Sequence, residues 1–375
     1  MMYEMKGIRY AEGLLKFLLA TAMAWLGCIA LVSCDQGDTN AGEAEANITL
    51  TLCLKGADKI NNTRIGQPFV KPLASRGEGV ETEDPGTEME NSIDLSKFHV
   101  VFYQANQQMA GILQNMVLVH LGGNIYRLTG SLPVSNKVLV GNHFVGKMVV
   151  YANFVMSEAD LQKGYDDEII AQKAFNYEAN PKYLPMWGVQ KVDFTLAAGK
   201  RKDFPDIDLL RAVAKVKVNL SNEMKNNGWS IHSMQLFNYN NKGYCMPIKY
   251  AECEQTASLT HKEFEHFYDS KQTVGITMTE DVPIYLPEYQ NNGKDNAEKC
   301  IIKLKLARNG TVESDKEYTL RFIDYTDTGA EGTTINDIVR DHYYIFEVYK
   351  GSNGQNLVKL TVRKWNVRNH EDIVM

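Results

Sequence analysis

From Ile48 to Lys55 the chain alternates without a break between apolar and polar side chains, Ile-Thr-Leu-Thr-Leu-Cys-Leu-Lys. A period of two belongs to a strand with unlike faces, here Ile48, Leu50, Leu52 and Leu54 on one side and Thr49, Thr51, Cys53 and Lys55 on the other. Such a strand needs a sheet partner and an apolar cover, because each large aliphatic contributes roughly 1.5–3 kcal/mol on burial. The same texture recurs along the chain. Strands are expected at 98–103, 116–121, 125–128 and 138–140, with Gly122-Gly123-Asn124 as a hairpin turn between the second and third. The nearly continuous apolar run 147–155 reads as a central strand buried on both faces, and a further strand is expected at 192–196.

The second half repeats the pattern. Val216, Val218 and Leu220 face inward and Lys217 and Asn219 outward, with further strands at 231–238, 273–278, 300–306, 317–324, 343–349 and 357–362. Helices are minor: 157–163 with Ser157 as N-cap and Asp160 completing a capping pattern, 166–175, and a stretch after Thr260 in which Phe264, Phe267 and Tyr268 share a face. Two proline-braced corners, Tyr183-Leu184-Pro185-Met186-Trp187-Gly188 and Pro283-Ile284-Tyr285-Leu286-Pro287-Glu288, punctuate the halves, and Gly188 is expected to permit a tight bend. About seven short strands per half fit an all-β fold with minor helices, two β-sandwich-like domains in tandem of transthyretin-like or immunoglobulin-like type. The domains are placed at 34–205 and 206–375, after a leader of residues 1–33.

That leader rests on Leu31-Val32-Ser33-Cys34. Lys6, Arg9 and Lys16 precede a mainly apolar run from Phe17 to Val32, then a small residue and a cysteine, which is the order of a secretory signal ending in a lipobox. The run is shorter than the ~20 apolar residues of a spanning helix, although an ordinary signal peptide or a short anchor helix has similar features. On the lipobox reading Cys34 is acylated and becomes the first residue. Three positive and two negative charges leave with the leader, taking the formal net charge from −6 to −7, so nucleic acid is not an expected partner. Cys53, Cys245, Cys253 and Cys300 remain for pairing; four cysteines allow three connectivities and the spacing selects none, free thiols included.

Between 56 and 91 the alternation stops in favour of Gly, Pro, Asn and acidic residues, marking a long exposed loop within the first domain. Exposed loops of this kind are where proteases cut. Two arginines lie in it, Arg64 and Arg76, the latter between Ser75 and Gly77.

Catalytic patterns are missing. There is no GxSxG or HExxH; His261 and His266 are five apart, on different sides of a helix; Gly199-Lys200 lacks the remainder of a phosphate loop; and Asp324, Asp327 and Gly329 match a calcium loop poorly. No catalytic residue, metal or cofactor is expected. Trp229, Tyr239 and Tyr244 are candidates for a ligand-binding loop, and packing at turns accounts for them equally well.

Taken in order, Cys34, the first alternating strand, the arginine-bearing loop, Leu184-Pro185-Met186-Trp187-Gly188, Arg211-Ala212-Val213-Ala214-Lys215-Val216, Tyr285-Leu286-Pro287-Glu288, Val339-Arg340-Asp341-His342-Tyr343-Tyr344 and Trp365 form a series. It resembles the fimbrillins, the type V pilins of Bacteroidales, over nearly the whole chain. Asp341 departs from the pattern, which has Asn before the histidine. The resemblance implies a structural, non-enzymatic fimbrial subunit serving adhesion, exported as a lipoprotein to the outer membrane through lipid on Cys34. It also implies cutting by an arginine-specific protease at Arg76 or Arg64 and polymerisation with other fimbrial subunits on the cell surface by donor-strand exchange. Cutting frees the strand of Ile48, Leu50, Leu52 and Leu54 and exposes a sheet edge that templates another strand. Val358, Leu360 and Val362, alternating in the same phase, are the candidate donor. The alternative is an uncleaved lipid-anchored surface protein, either a fimbrial anchor or a lipoprotein that binds a glycan or host ligand.

Overall fold

The alternating stretch folds as β1, Glu45–Cys53, and the first sandwich is built around it. The computed structural model describes residues 45–53, 86–122, 125–133, 143–195, 201–259, 263, 265–313, 316–326, 328–352 and 354–365. Cys34, Leu54, Arg64, Arg76, the turn at Gly123-Asn124 and the strand expected at 138–140 lie outside these residues.

After β1 come β2 (Phe98–Gln104), β3 (Met109–Ile112), β4 (Gln114–Gly122), β5 (Ile125–Pro133) and β6 (His143–Ala152). They are followed by β7 (Ala174–Asn176), β8 (Met186–Thr195), β9 (Lys202–Asp203), β10 (Ile207–Asp208) and β11 (Leu210–Arg211). One sheet is ordered β10-β1-β5-β4 with β9 also beside β1, and the facing sheet β11-β8-β6-β2-β3. Their inner faces meet in one core, with Tyr126, Leu128 and Leu132 from the first sheet and Phe102, Phe144, Met148, Val150 and Phe194 from the second. β6 is central, as its apolar run requires: Met148 through Ala152 are all buried, alternate residues serving the two faces.

The strand stops at Ala152 rather than Val155 because Asn153 takes a left-handed φ of 66°. Its side chain uses that geometry fully, accepting from Asp94 N at 2.8 Å and donating to Ser92 O at 2.9 Å and Leu184 O at 2.7 Å. The capping pattern at Ser157 is present as expected, with Ser157 Oγ accepting from Asp160 N and Asp160 Oδ2 accepting from Ser157 N. The helix expected at 166–175 is one turn, Glu168–Ala171, before the chain extends into β7.

Gly188 serves a different purpose from a bend. It lies within β8 and is absent from the positions of positive φ; a Cβ there would fall 2.5 Å from the Asp208 carbonyl oxygen. Close backbone approach excludes a side chain. Gly188→Ala is expected to cost about 1–3 kcal/mol through overpacking, read as a lower urea midpoint with an unchanged slope; an unchanged midpoint would mean that the strands separate without penalty.

The second sandwich begins with β12 (Ala214–Leu220) and β13 (Trp229–Phe237), then β14 (Tyr239–Asn240), β15 (Lys242–Tyr244), β16 (Lys271–Gln272), β17 (Ile276–Thr277) and β18 (Ile284–Leu286). It continues with β19 (Ile301–Arg308), β20 (Thr311–Val312), β21 (Tyr318–Arg321), β22 (Ile323–Tyr325), β23 (Glu331–Ile335), β24 (His342–Lys350) and β25 (Asn356–Lys364). One sheet is β18-β12-β24-β25, in which β12 and β24 run parallel, and the other β17-β13-β19-β20 with β21 on β19. Val216, Val218 and Leu220 face the core as their alternation predicts. The strand expected over 273–278 is reduced to two residues; in the stretch where a helix is expected Glu263 is helical, Phe264 lies outside the described residues, and 265–268 is irregular, with the His266 ring stacked on Tyr244 at 3.7 Å and His266 N donating to Glu288.

The halves share structure. β15 pairs with β7, and the segment from Cys245 to Leu259 covers the outer face of β2, β6 and β8, where Thr256 Oγ1 accepts from Val189 N at 2.7 Å. Among the described residues no helix is long and apolar enough to cross a membrane.

Candidate functional site, the seat of the first strand

β1 occupies the interior of its sheet. On one side all nine residues pair antiparallel with β5, from Glu45 opposite Pro133 to Cys53 opposite Ile125. On the other, Ile48 and Thr49 run parallel beside Lys202 and Asp203, and Leu52 and Cys53 beside Ile207 and Asp208. The register sets Leu50 opposite Leu128 and Leu52 opposite Tyr126, and residues directly opposite share a face. Leu128 and Tyr126 belong to the buried core. Thr49, on the other face, is itself buried rather than solvated.

Two strand spacings of ~4.8 Å separate β5 from the pair β9 and β10, a slot one strand wide. Leu128 on β5 and Ile207 on β10 flank it and belong to the core with Phe204, whose ring packs edge-on against Phe194 at 4.9 Å. Without β1, the Ile125–Pro133 ladder loses one partner along its whole length. An open slot of that kind accepts an extended apolar segment in place of the strand removed.

The candidate donor residues are placed elsewhere. Val358, Leu360 and Val362 lie on β25, the edge strand paired antiparallel with β24. Val358 and Leu360 pack on the second core, while Val362 is 39% exposed. The end of β25 is pinned at the junction of the halves by Trp365, which is 1% exposed. Its ring stacks on Tyr285 at 5.6 Å, the Arg211 guanidinium carbon lies 4.6 Å from its centroid, and Lys215 Nζ 5.3 Å. Cations held over a desolvated indole stabilise by up to about 2 kcal/mol each.

Those cations are paired. Glu90, in a helical turn capped by Thr87, presents Oε1 to Lys215 Nζ at 2.8 Å and to Tyr285 Oη–H at 2.5 Å, while Oε2 accepts from Thr87 N. Arg211 donates to Asn91 Oδ1 at 2.7 Å, to Glu90 O at 3.3 Å and to Asp341 Oδ1 at 3.4 Å. Asp341 has φ of 55°, a left-handed conformation that Asp and Asn both tolerate, which explains why the departure from Asn at this position leaves the fold intact.

The ligand candidates Trp229, Tyr239 and Tyr244 are engaged within the protein. Trp229 is buried beneath Lys350 and Arg308, Tyr239 packs on Tyr177 at 5.5 Å, and Tyr244 carries the His266 stack. Cys245, Cys253 and Cys300 are buried free thiols; Cys53 stands in register opposite Ile125 and Asp208. Sequence reasoning missed the cluster of Glu90, Arg211, Lys215 and Asp341, although two of its members lie in the Arg211-to-Val216 motif and one in the motif containing His342.

The sequence model of the family described as Fimbrillin-A associated anchor proteins Mfa1 and Mfa2 matches residues 82–371, a span that starts after β1. No curated protein matches the chain at a significant level. Among solved structures, a Parabacteroides distasonis protein assigned to cell adhesion is 13% identical with a TM-score of 0.50, covering 87% of this chain and 99% of its own. The tip fimbrial protein Mfa3 of Porphyromonas gingivalis is 12% identical with a TM-score of 0.48, covering 85% and 100%. A fimbrilin, fimA, of Porphyromonas gingivalis W83 is 16% identical with a TM-score of 0.46, covering 87% and 99%.

Proposed function

The chain belongs to the family of Fimbrillin-A associated anchor proteins Mfa1 and Mfa2, and on that footing we propose that it is a structural subunit of a fimbria in which β1 is the exchangeable strand. The observation that carries the reading is the position of β1: it completes the middle of a sheet, and its departure opens a slot for one other strand. In this reading the chain travels to the outer membrane as a lipoprotein held by an acyl group on Cys34. A protease specific for arginine cuts after Arg76 or Arg64, β1 leaves, and a neighbouring subunit's strand takes its place. β25, with Val358, Leu360 and Val362, is the donor this chain offers in turn. As an edge strand it has one ladder to surrender, that with β24, together with the packing of Val358 and Leu360 on the second core and the Trp365 clamp. Nine ladder positions over an apolar core make the exchanged strand slow to leave.

The description of the family as anchor proteins favours a second reading. With β1 retained the slot stays filled, and the chain ends a fibre at the membrane instead of extending it. Amino-terminal sequencing separates the two. Sheared surface fimbriae are expected to contain a form starting at Gly77 or Ile65. Recovery of acylated Cys34 alone, only in the outer-membrane fraction, overturns the cut subunit and leaves the anchor.

A further inference from the structure

A cleft of about 230 Å³ opens where the two sandwiches meet. Its floor is buried and stiff: Leu184 and Val213 flank Tyr285, whose ring is backed by Trp365 and whose hydroxyl is tied to Glu90. Phe175, Tyr177 and Tyr183 line it, each half-buried. Phe175 is held in place by β15, since a Cβ at Gly243 would lie 2.8 Å from its ring. Around the rim stand the side chains of Lys97, Asn176 and Glu178, all exposed. None of the three makes a hydrogen bond or ion pair with the described residues, although Lys173 nearby is paired with Asp160 at 2.6 Å. The Tyr177 hydroxyl is buried without a hydrogen-bond partner among the described residues.

We propose that this cleft is a binding site for a single pyranose ring. Flat aromatic surfaces receive the C–H face of a sugar, and an amide, a carboxylate and an ammonium group left unpaired beside them supply donors and acceptors for its hydroxyls. A wholly apolar guest leaves those rim groups unmatched. Pockets for drug-sized ligands run to ~300–1,000 Å³; this one is smaller and suits one ring, either a free monosaccharide or the terminal unit of a glycan. The rigid floor is prepared before binding, which lowers the ordering cost. In the uncut, unpolymerised chain the site is complete, with Trp365 in place behind Tyr285.

The test uses the purified, uncut full chain. Saturation-transfer NMR with galactose, mannose, fucose and N-acetylglucosamine is expected to detect at least one ring bound with a Kd on the order of 1 mM, or about −4 kcal/mol, and an array of immobilised glycans shows whether that ring is recognised at a chain end. Tyr183→Ala and Asn176→Ala are each expected to weaken binding at least ~10-fold, about 1.4 kcal/mol, with unchanged melting temperature. Binding of a free ring without array binding supports the site with a monosaccharide as its ligand. The proposal is overturned by the absence of binding to both panels, by binding that neither variant weakens, or by a proline- or aromatic-rich peptide occupying the cleft while sugars do not. None of these outcomes depends on whether the chain polymerises.

Discussion

Glu90→Ala is expected to destabilise the folded chain by about 3–5 kcal/mol, the cost of removing one partner from a buried ion pair. Lys215 and Glu90 are 5% and 0% exposed in their side chains, so the ammonium group left behind has no water to turn to. The loss extends beyond one pair. Tyr285 forfeits the Glu90 carboxylate as an acceptor for its hydroxyl, and Thr87 the carboxylate that caps its N–H. Because these contacts join the first half to β12 and β18, thermal unfolding should drop on the order of 10 °C. Replacing both members, Glu90→Leu with Lys215→Met, should recover a large part of the loss, since two apolar groups bury without an orphaned charge. A single-variant loss below about 1 kcal/mol would show that water reaches Lys215 and that the junction is looser than the geometry implies.

Glu288→Ala carries a comparable expectation of about 3–5 kcal/mol, for a different region. Arg340 donates from Nη2 to Glu288 Oε2 at 2.7 Å, and its backbone N–H donates to Oε1. With the carboxylate gone, the guanidinium, 1% exposed, retains only the carbonyls of Tyr244 and Cys245. The same carboxylate receives His266 N, so the variant also releases the irregular segment 265–268. Since Cys245 to Leu259 roof the outer face of the first half, unfolding should cease to be concerted: Trp187 fluorescence and far-UV circular dichroism should follow separate transitions. Coincident transitions with an unchanged midpoint would contradict the role given to Glu288.

The local patterns were the legible part of the fold. β1, the Ser157 cap, the doubly buried β6 and the alternation of β12 each depend on residues within one strand or turn, where period and capping chemistry are visible in the sequence. What escaped depends on distant partners. The glycine at 188 reads as a bend until Asp208, twenty residues on, is brought against it. The end of β6 at Asn153 needs three acceptors and donors from two other loops. The junction cluster joins Glu90 to Lys215 and Arg211 to Asp341, separations over which charge patterning carries no signal. For the strand slot, the alternation at 48–54 identified the strand, whereas its interior place depended on β9 and β10, two-residue strands too short for any period to reveal.

The buried thiols give the molecule a built-in clock. Burial pushes the Cys245 thiol up to about 12 and that of Cys253 to about 11, and raises Cys300 well above its ordinary value. A thiol reacts only as the exposed thiolate, so each becomes alkylated at the frequency with which its surroundings open. Cys245 and Cys253 sit in the roof over the first half, and Cys300 in the second core. Their labelling rates therefore time two separate openings within one chain, without an added probe.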